Sequence, residues 1–459
     1  MYGSKFKKLI SKQNLFAFVR TYGCQQNVSD SEKIKGLLLN MGCSFVKEKK
    51  DADIIVFNTC AVRENAEFRV LGNIGMLKDL KKQNPKLIIA ICGCMTQQYS
   101  AREKIKSMFP FVDIIIGTDF IDDLRELIFK VFVKKYNISG EFNNNFIEKY
   151  LNKKLDENLT VHRDSKIKAF VPIMNGCDNF CSYCIVPYVR GREISRKPEA
   201  IKEEIENLID RGYKSITLLG QNVNSYGKNL NGGMNFTELL REITKKKGDY
   251  WIRFMTSHPK DITKELIEEI AFNDKICKHI HLPFQSGSNR ILKKMNRQYT
   301  REKYISIVEY ARNKIPDISL TSDVIVGFPS ESYYDFKQTI SLVKLIGFSS
   351  LFTFIYSKRE GTPAAKMKDL ISHEEKSKRL DELLKLQREI SSEFCSKFVG
   401  KKERVLLEEG HKNGLKFAKT NQNITVFLEN YNDDYKDKFC NVKFTGHKRQ
   451  GLTGIIQNR

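Results

Sequence analysis

The chain has 459 residues, of which 41% are hydrophobic and 29% are charged, an ordinary balance for a folded protein of two or three domains. Its formal net charge of +23 favours a polyanionic partner such as nucleic acid, although a general lysine and asparagine bias explains the charge equally well. With no apolar run of about eighteen residues, no export signal and no even disulfide framework among eleven cysteines, we expect no membrane segment and a cytoplasmic, reducing location.

Residues 14–133 are predicted to form a parallel α/β domain. Short apolar runs typical of buried strands alternate there with helical stretches. The runs are LFAFV, ADIIVF, KLIIAI and FVDIIIG. Residues 134–164 then lose periodicity and are rich in asparagine, lysine and acidic side chains, which predicts a linker.

A cysteine follows each of the first three apolar runs, at Cys24, Cys60 and Cys94. Because the carboxyl ends of parallel strands line one rim of a sheet, we expect these three thiols to converge there. Taken singly, each cysteine is more often a small packing residue than a ligand, but the shared placement favours ligation. Cys92 is expected to point into strand packing instead.

Residues 166–396 alternate strand-like and helical segments in six units, which predicts a parallel, partial β/α barrel with its site at the carboxyl rim. The strand-like runs are KAFVPIM, SITLLG, YWIRFMT, HIHLPF, LTSDVIVGF and LFTFIYS. Polar residues near the later strand ends suit ligand contacts, yet they also suit ordinary loop caps. These are Gln221, Asn222, Asn224, Thr256, Ser257, His258, Gln285, Ser286 and Asp323. His279 and His281 share one strand face and are predicted to be structural.

A second cysteine group, Cys177-x-x-x-Cys181-x-x-Cys184, follows the first barrel strand. Three thiolates at this spacing can bind three irons of a 4Fe-4S cube and leave the fourth iron open to an outside molecule. The alternative is structural zinc in a non-catalytic RNA-binding protein. A closed zinc site needs four ligands, however, and no fourth cysteine or histidine lies in this stretch.

Residues 397–459 carry short strand-like runs separated by turn residues, which predicts a small β-barrel. Phe417 and Phe427 are expected in its core rather than in base stacking. Six cations are candidate phosphate contacts. They are Lys412, Lys416, Lys419, Lys443, Lys448 and Arg449.

Several segments carry a family resemblance along nearly the whole chain. They are TYGCQQN, NTCAVRENAE, GCMTQ, CDNFCSYCIVPYVRGREISR, LLGQNVNSYG, HLPFQSGS, SDVIVGFP and FIYSKREGTPAA. Together they resemble the methylthiotransferases, two-cluster radical S-adenosylmethionine (SAM) enzymes. NTCAVRENAE and IVPYVRG most resemble the subfamily that acts on N6-(dimethylallyl)adenosine in tRNA, and residues 397–459 resemble the RNA-binding TRAM domain.

The resemblance implies that Cys24, Cys60 and Cys94 bind one 4Fe-4S cluster, which holds the sulfur to be transferred. It implies that the Cys177 group binds the second 4Fe-4S cluster, where SAM is cleaved.

Tyr183, within that cysteine loop, is then expected beside SAM. The implied reaction inserts a methylthio group at C2 of the modified adenosine next to the tRNA anticodon. It is carried out by a monomer whose electron donor and sulfur source stay unspecified. Sister enzymes act instead on threonylcarbamoyl-adenosine of tRNA or on an aspartate of a ribosomal protein, and these substrates are the alternatives.

Overall fold

The computed structural model describes residues 14–61, 64–136, 161–412, 414–431, 435, 438–448 and 451–457. Its contacts divide the chain into two compact units. The first comprises Met1–Asp164 with Ile185–Arg192, and the second comprises Ser165–Cys184 with Glu193–Arg459. None of the helices in these described stretches combines the length and apolar character that crossing a membrane requires. Most of the predicted linker, and Arg449, lie outside the described residues.

The first unit is built on a five-stranded parallel sheet. Its strands are β1 Phe16–Thr21, β2 Ser44–Phe45, β3 Ile54–Thr59, β4 Ile88–Gly93 and β5 Ile114–Ile115, in the spatial order β2-β1-β3-β4-β5. The four predicted strands are present, which confirms the α/β class of this part. The sequence did not reveal β2, because two residues are too few to show a periodic pattern.

Helices cover both faces of this sheet and create two separate cores. The helices are Gln25–Asn40, Glu64–Gly75, Leu77–Gln83, Cys94–Gln97, Tyr99–Met108, Leu124–Lys135 and Val186–Arg190, with 3-10 turns at Lys49–Asp51 and Thr118–Asp123. Every residue of β3 and β4 is buried, which explains why both strands read as continuous apolar runs rather than alternating ones. Cys92 lies in one of these cores, as expected.

The second unit contains six parallel strands that follow chain order, as predicted for a partial barrel. They are β6 Lys168–Pro172, β9 Ser215–Leu219, β10 Trp251–Phe254, β11 His279–His281, β12 Ser319–Val326 and β13 Ser350–Ile355. Two short strands, β7 Met174–Asn175 and β8 Ile194–Ser195, lie between β6 and β9 in sequence. β6, β9 and β10 form one sheet, and β11, β12 and β13 form another. An isolated parallel bridge joins Ile252 to Ile276 beside β11. The short pair β7–β8 is antiparallel.

Helices with recognisable start signals connect these strands. They are Pro198–Asp210, Phe236–Thr244, Lys264–Phe272, Asn289–Lys294, Arg301–Lys314, Tyr333–Ile346 and His373–Ser396, with 3-10 turns at Val223–Ser225 and Pro363–Lys366. Asn235 and Ser332 each form a capping box with the acidic residue three positions later, which satisfies backbone N–H groups that the helix leaves unpaired.

The last strands form a closed barrel. They are β14 Lys402–Lys412, β15 Leu415–Thr420, β16 Thr425–Leu428, β17 Phe439–Lys448 and β18 Gly451–Ile456, in the order β14-β15-β16-β18-β17. This confirms the predicted small β-barrel. By its contacts the barrel belongs to the second unit, so the predicted boundary at residue 397 stays a prediction.

Gly93, at the end of β4, should tolerate no side chain. Its φ is +106°, and a Cβ there would lie 2.3 Å from the carbonyl oxygen of Thr59. We expect Gly93→Ala to lower the free energy of unfolding by about 2 kcal/mol or more, because it combines backbone strain with a clash against main chain. The unfolding midpoint in urea measures this change.

Gly72→Ala is the matched control, since no atom beyond its own stretch of helix lies within 4 Å of the added Cβ. Alanine is also more favourable than glycine inside a helix, by about 0.5–1 kcal/mol. Equal midpoints for the two variants would contradict the expected strain at Gly93.

Candidate active site

Cys24, Cys60 and Cys94 come together at the carboxyl edge of the first unit's sheet. Cys60 and Cys94 directly follow β3 and β4, and Cys24 lies three residues beyond β1. The Cys60 thiol donates a hydrogen bond to Cys24, and Cys24 and Cys94 are close enough for their charges to interact. The predicted convergence of the three thiols is therefore present, whereas their role as cluster ligands stays a prediction.

Two buried asparagines hold the loops that carry these cysteines. Asn27 donates through Nδ2 to Asn58 Oδ1 at 3.2 Å and to the carbonyl of Thr59 at 3.1 Å. Asn58 donates in return to the carbonyl of Asn27 at 2.9 Å. Gly23 fits only without a side chain, since a Cβ would lie 2.9 Å from the Cβ of Cys60. Asn27 was not among the sequence-predicted site residues, although its position only three residues after Cys24 was a signal that could have identified it.

The environment of Cys24 favours its thiolate. Hydrogen bonding from Cys60 lowers the pKa of Cys24 to about 6, with further help from the backbone N–H of Asn27 and the charge of Arg190. Cys24 also occupies the N-cap position of the helix Gln25–Asn40, where the helix dipole favours an anion. At Cys94, by contrast, burial raises the pKa despite the nearby Arg190 charge.

The second cysteine group forms a loop after β7 in the second unit. Cys177 and Cys181 are buried, Cys184 is half-buried, and the backbone N–H of Cys184 donates to the carbonyl of Cys181 at 3.0 Å. Asn179 Nδ2 donates to Cys177 Sγ at 3.4 Å. Arg297, which sequence reasoning missed, donates to Cys181 Sγ at 3.3 Å. Such donors stabilise thiolates.

The donor sets of both groups fit a 4Fe-4S cube with one open corner, because each group supplies three thiols and N–H donors to sulfur. Over the stretches that the structure describes, no group of three or more His, Cys, Asp or Glu side chains is arranged to hold a single metal ion. Cube ligands each bind a different iron, so they do not need to share one ion.

The barrel rim of the second unit holds buried polar atoms without a hydrogen-bond partner among the described residues. They are Gln221 Oε1, Asn222 Oδ1, Asn224 Nδ2 and Oδ1, Ser257 Oγ, His258 Nε2 and Gln285 Oε1. Leaving such an atom unpaired costs about 1–3 kcal/mol, so a concentration of them indicates a site that a ligand completes. Thr256 and Gln285 also have positive φ angles, 70° and 65°, a strain that clusters at functional sites.

His258 presents a neutral N–H group at this rim. Its Nδ1 accepts from the backbone N–H of Lys260 at 3.2 Å, which leaves the proton on Nε2. Burial, aided by the charge of Arg297, lowers the pKa of His258 to about 2. His258 is therefore a hydrogen-bond donor without charge, and its Nε2 is one of the unpartnered atoms.

The other aromatic candidates are placed as follows. Tyr183 packs against an apolar cluster that includes Met295 and Phe328, and its contact with SAM stays a prediction. His279 Nε2 and His281 Nδ1 both bond to Thr321 Oγ1, at 2.9 and 3.0 Å. The two histidines are therefore satisfied inside the sheet, in agreement with their predicted structural role.

The cations of the β-barrel divide into two groups. Lys443 and Lys448 are exposed on β17. Lys419 instead donates to the carbonyl of Asn423 at 3.1 Å and to Thr425 Oγ1 at 2.9 Å, and burial lowers its pKa to about 8. The ammonium group of Lys419 therefore has partners within the barrel, and its contact with phosphate stays a prediction.

Two family models match separate parts of the chain. The radical SAM superfamily matches residues 171–343, and the family described as Uncharacterized protein family UPF0004 matches residues 17–117. Each match spans one of the two cysteine groups.

Relatives of known name match nearly the whole chain. A tRNA-2-methylthio-N(6)-dimethylallyladenosine synthase from Clostridium botulinum is 51% identical over 398 residues, covering 86% of each chain. A synthase of the same name from Thermoanaerobacter pseudethanolicus is 47% identical over 447 residues, covering 97% of this chain and 93% of the relative.

Solved structures show the same fold at low sequence identity. The radical SAM methyltransferase TsrM from Kitasatospora setae, with cobalamin and a [4Fe-4S] cluster bound, is 13% identical in sequence. The two structures superpose with a TM-score of 0.56 over 77% of this chain and 74% of the TsrM chain. The cobalamin-dependent S-adenosylmethionine radical enzyme OxsB is 14% identical, with a TM-score of 0.51 over 83% of this chain and 56% of the OxsB chain.

Cys24 should be the most readily alkylated cysteine of the two groups in the reduced, iron-free protein. Its pKa of about 6 predicts a rate with iodoacetamide that rises through pH 6 and levels off above pH 7, because only the thiolate reacts. Cys94 and Cys177, whose pKa values burial raises, should react slowly at pH 7. Peptide mass spectrometry of quenched samples measures the rates.

Cys60→Ala is the informative control, since it removes the main hydrogen bond that lowers the pKa of Cys24. The Cys24 midpoint should then move up towards the ordinary thiol range, near pH 8.5. A Cys24 midpoint above pH 8 in the unaltered protein would contradict the proposed thiolate environment.

Proposed function

Because this chain belongs to the radical SAM methylthiotransferase family that includes the tRNA-2-methylthio-N(6)-dimethylallyladenosine synthases, we propose that it methylthiolates C2 of N6-(dimethylallyl)adenosine next to the anticodon of tRNA. The observation that carries the proposal is the presence of two separate three-cysteine groups, one at the sheet edge of the first unit and one in the barrel loop of the second. The radical SAM match covers only the Cys177 group, so the three cysteines of the first unit are ligands available for a further centre.

The two groups divide the work of cofactor binding. Membership of the radical SAM superfamily implies a 4Fe-4S cluster and SAM, and we assign them to Cys177, Cys181 and Cys184. We assign a separate 4Fe-4S cluster to Cys24, Cys60 and Cys94 of the first unit. When bound, these groups supply the one-electron cleavage of SAM and the sulfur atom of the new C–S bond.

The chain's own residues prepare both sites. Asn27 and Asn58 fix the loops of the first group, so its thiols are in place before a cluster binds. At the barrel rim, His258 offers a neutral N–H, and the Gln221 and Asn224 amides offer further donors and acceptors. The amino-acid end of SAM and the edge of an adenine carry the complementary groups, which supports binding of both ligands there.

The β-barrel supports binding of the tRNA substrate. Lys443 and Lys448 are exposed on one strand, and the formal net charge of the chain is +23. Cations so placed can contact phosphates and steer a polyanion. We assign a TRAM-like role to residues 397–459, and propose 14–133 and 166–396 as the two cluster-bearing domains, joined by the linker 134–164. A monomer acting in the cytoplasm, where tRNA is found, fits this substrate.

Nucleoside mass spectrometry tests the proposal directly. The reconstituted protein is incubated anaerobically with SAM, a reductant and tRNA that carries N6-(dimethylallyl)adenosine without the methylthio group. We expect the methylthiolated nucleoside to appear, because the relatives named for this product are about half identical to the chain. tRNA lacking the dimethylallyl group is the control.

Other outcomes of this experiment are equally informative. SAM cleavage without the product would redirect the search to threonylcarbamoyl-adenosine or a ribosomal-protein aspartate. Zinc in place of iron and acid-labile sulfide would contradict the enzyme and support a structural RNA-binding module.

Single cysteine substitutions should separate the two centres. Cys177→Ala should reduce SAM cleavage to background, because the cluster whose open iron binds SAM loses one of the three thiolates that hold it. Cys24→Ala should keep SAM cleavage but abolish methylthiolation. Chromatography of the cleaved SAM and nucleoside mass spectrometry give the two readouts. Cys440→Ala, at a half-buried barrel cysteine, is the control and should retain both activities.

Methylthiolation by either the Cys177→Ala or the Cys24→Ala variant would overturn the assignment of that centre. Loss of SAM cleavage in both variants would indicate that the two centres are not functionally separate.

A further inference from the structure

On the basis of the 4Fe-4S cluster proposed for Cys24, Cys60 and Cys94, here called the first centre, we propose that Arg190 is a positioning residue. It sets the electron affinity of the first centre through Cys94, and Asp30 balances its charge. Arg190 ends the short helix Val186–Arg190. The segment Ile185–Arg192 that contains this helix follows Cys184 directly in sequence, yet it belongs to the first unit by its contacts.

Apolar contacts hold the helix Val186–Arg190 against the segments that carry Cys60 and Cys94. Ile185 and Val189 form a small buried cluster with Ala61, the neighbour of Cys60, and with Cys94 itself. Thr118 Oγ1 donates to the carbonyl of Val189 at 2.6 Å. The helix is therefore held in place by contacts that do not depend on the arginine.

Arg190 makes a charged hydrogen bond to a cysteine sulfur. Its Nε–H donates to Cys94 Sγ at 3.2 Å, and its terminal nitrogen donates to Asp30 Oδ2 at 2.6 Å. The side chains of Arg190 and Asp30 are only 6% and 7% exposed. Charges act more strongly when water is excluded, so both charges are felt at the sulfur.

A buried ion pair is weak evidence for stability, because apolar residues of similar volume often replace one without loss. The pair at Cys94 therefore invites a functional explanation. A donor to a ligating sulfur withdraws electron density and stabilises the reduced cluster, whereas a nearby carboxylate opposes this effect. Arg190 should raise the reduction potential of the centre, and Asp30 should lower it.

The two partners of one ion pair should therefore shift the potential in opposite directions. Arg190→Met removes the donor and the charge and should lower the midpoint potential. Asp30→Asn keeps the shape but leaves the arginine charge unbalanced, and should raise it. We expect each change to alter the equilibrium constant of one-electron reduction about tenfold, which corresponds to about 59 mV.

The measurement is a spectroelectrochemical titration of the full-length chain with Cys177, Cys181 and Cys184 all replaced by alanine, reconstituted anaerobically with iron and sulfide. Only the first centre then contributes to the signal. Arg163→Met is the matched control, because it breaks an equally buried ion pair, in which Arg163 lies 3.1 Å from Glu32. Glu32 is on the same helix as Asp30. It should leave the potential unchanged.

Opposite shifts for Arg190→Met and Asp30→Asn, with the control unmoved, would support the inference. Unmoved potentials, or shifts of one sign in all three variants, would overturn it. If Arg190→Met binds no iron, Arg190→Lys and Asp30→Asn decide, since both keep a polar group at the site. Absence of iron and sulfide in the triple-alanine protein that carries no further substitution would overturn the cluster proposed for Cys24, Cys60 and Cys94, and this inference with it.

Discussion

Parallel pairing of β1, β3 and β4 is the constraint that brings Cys24, Cys60 and Cys94 together. The register sets Thr21 opposite Asn58 and Thr59 opposite Gly93, so the three strands end side by side. Because parallel strands need long crossovers, cysteines that are more than thirty residues apart in sequence meet at one edge. The close approach at Gly93 and the buried asparagine network tie those strand ends together.

A buried arginine accompanies each cysteine group, but the two settings differ in charge. Arg190 donates to Cys94 and is neutralised by Asp30. Arg297 donates to Cys181 and to neutral oxygens, the carbonyl of Pro283 and the hydroxyl of Tyr299. Hydrogen bonds and charge near sulfur are a protein's means of setting the electron affinity of a cluster, so the two cluster sites that we propose would differ in this property.

The rim of the partial β/α barrel contains buried polar atoms that have no hydrogen-bond partner among the described residues. Most buried polar atoms in folded proteins find partners, yet Gln221, Asn224, Ser257 and His258 retain atoms without one among the described residues. The neutral state of His258 follows from its burial, and the fixed location of its proton follows from the bond that its other nitrogen accepts. Such a rim can bind polar ligands without first breaking internal bonds.

The sequence by itself determined the class of each part of the fold, the placement of the two cysteine groups and the family. Strand periodicity and cysteine spacing are local patterns, and both cysteine groups lie where those patterns placed them. Tertiary structure decided which side chains surround the sulfurs. Arg190 lies 96 residues from Cys94 and 160 from Asp30, and Arg297 lies 116 residues from Cys181. Contacts over such separations depend on how loops pack, which short-range patterns do not encode.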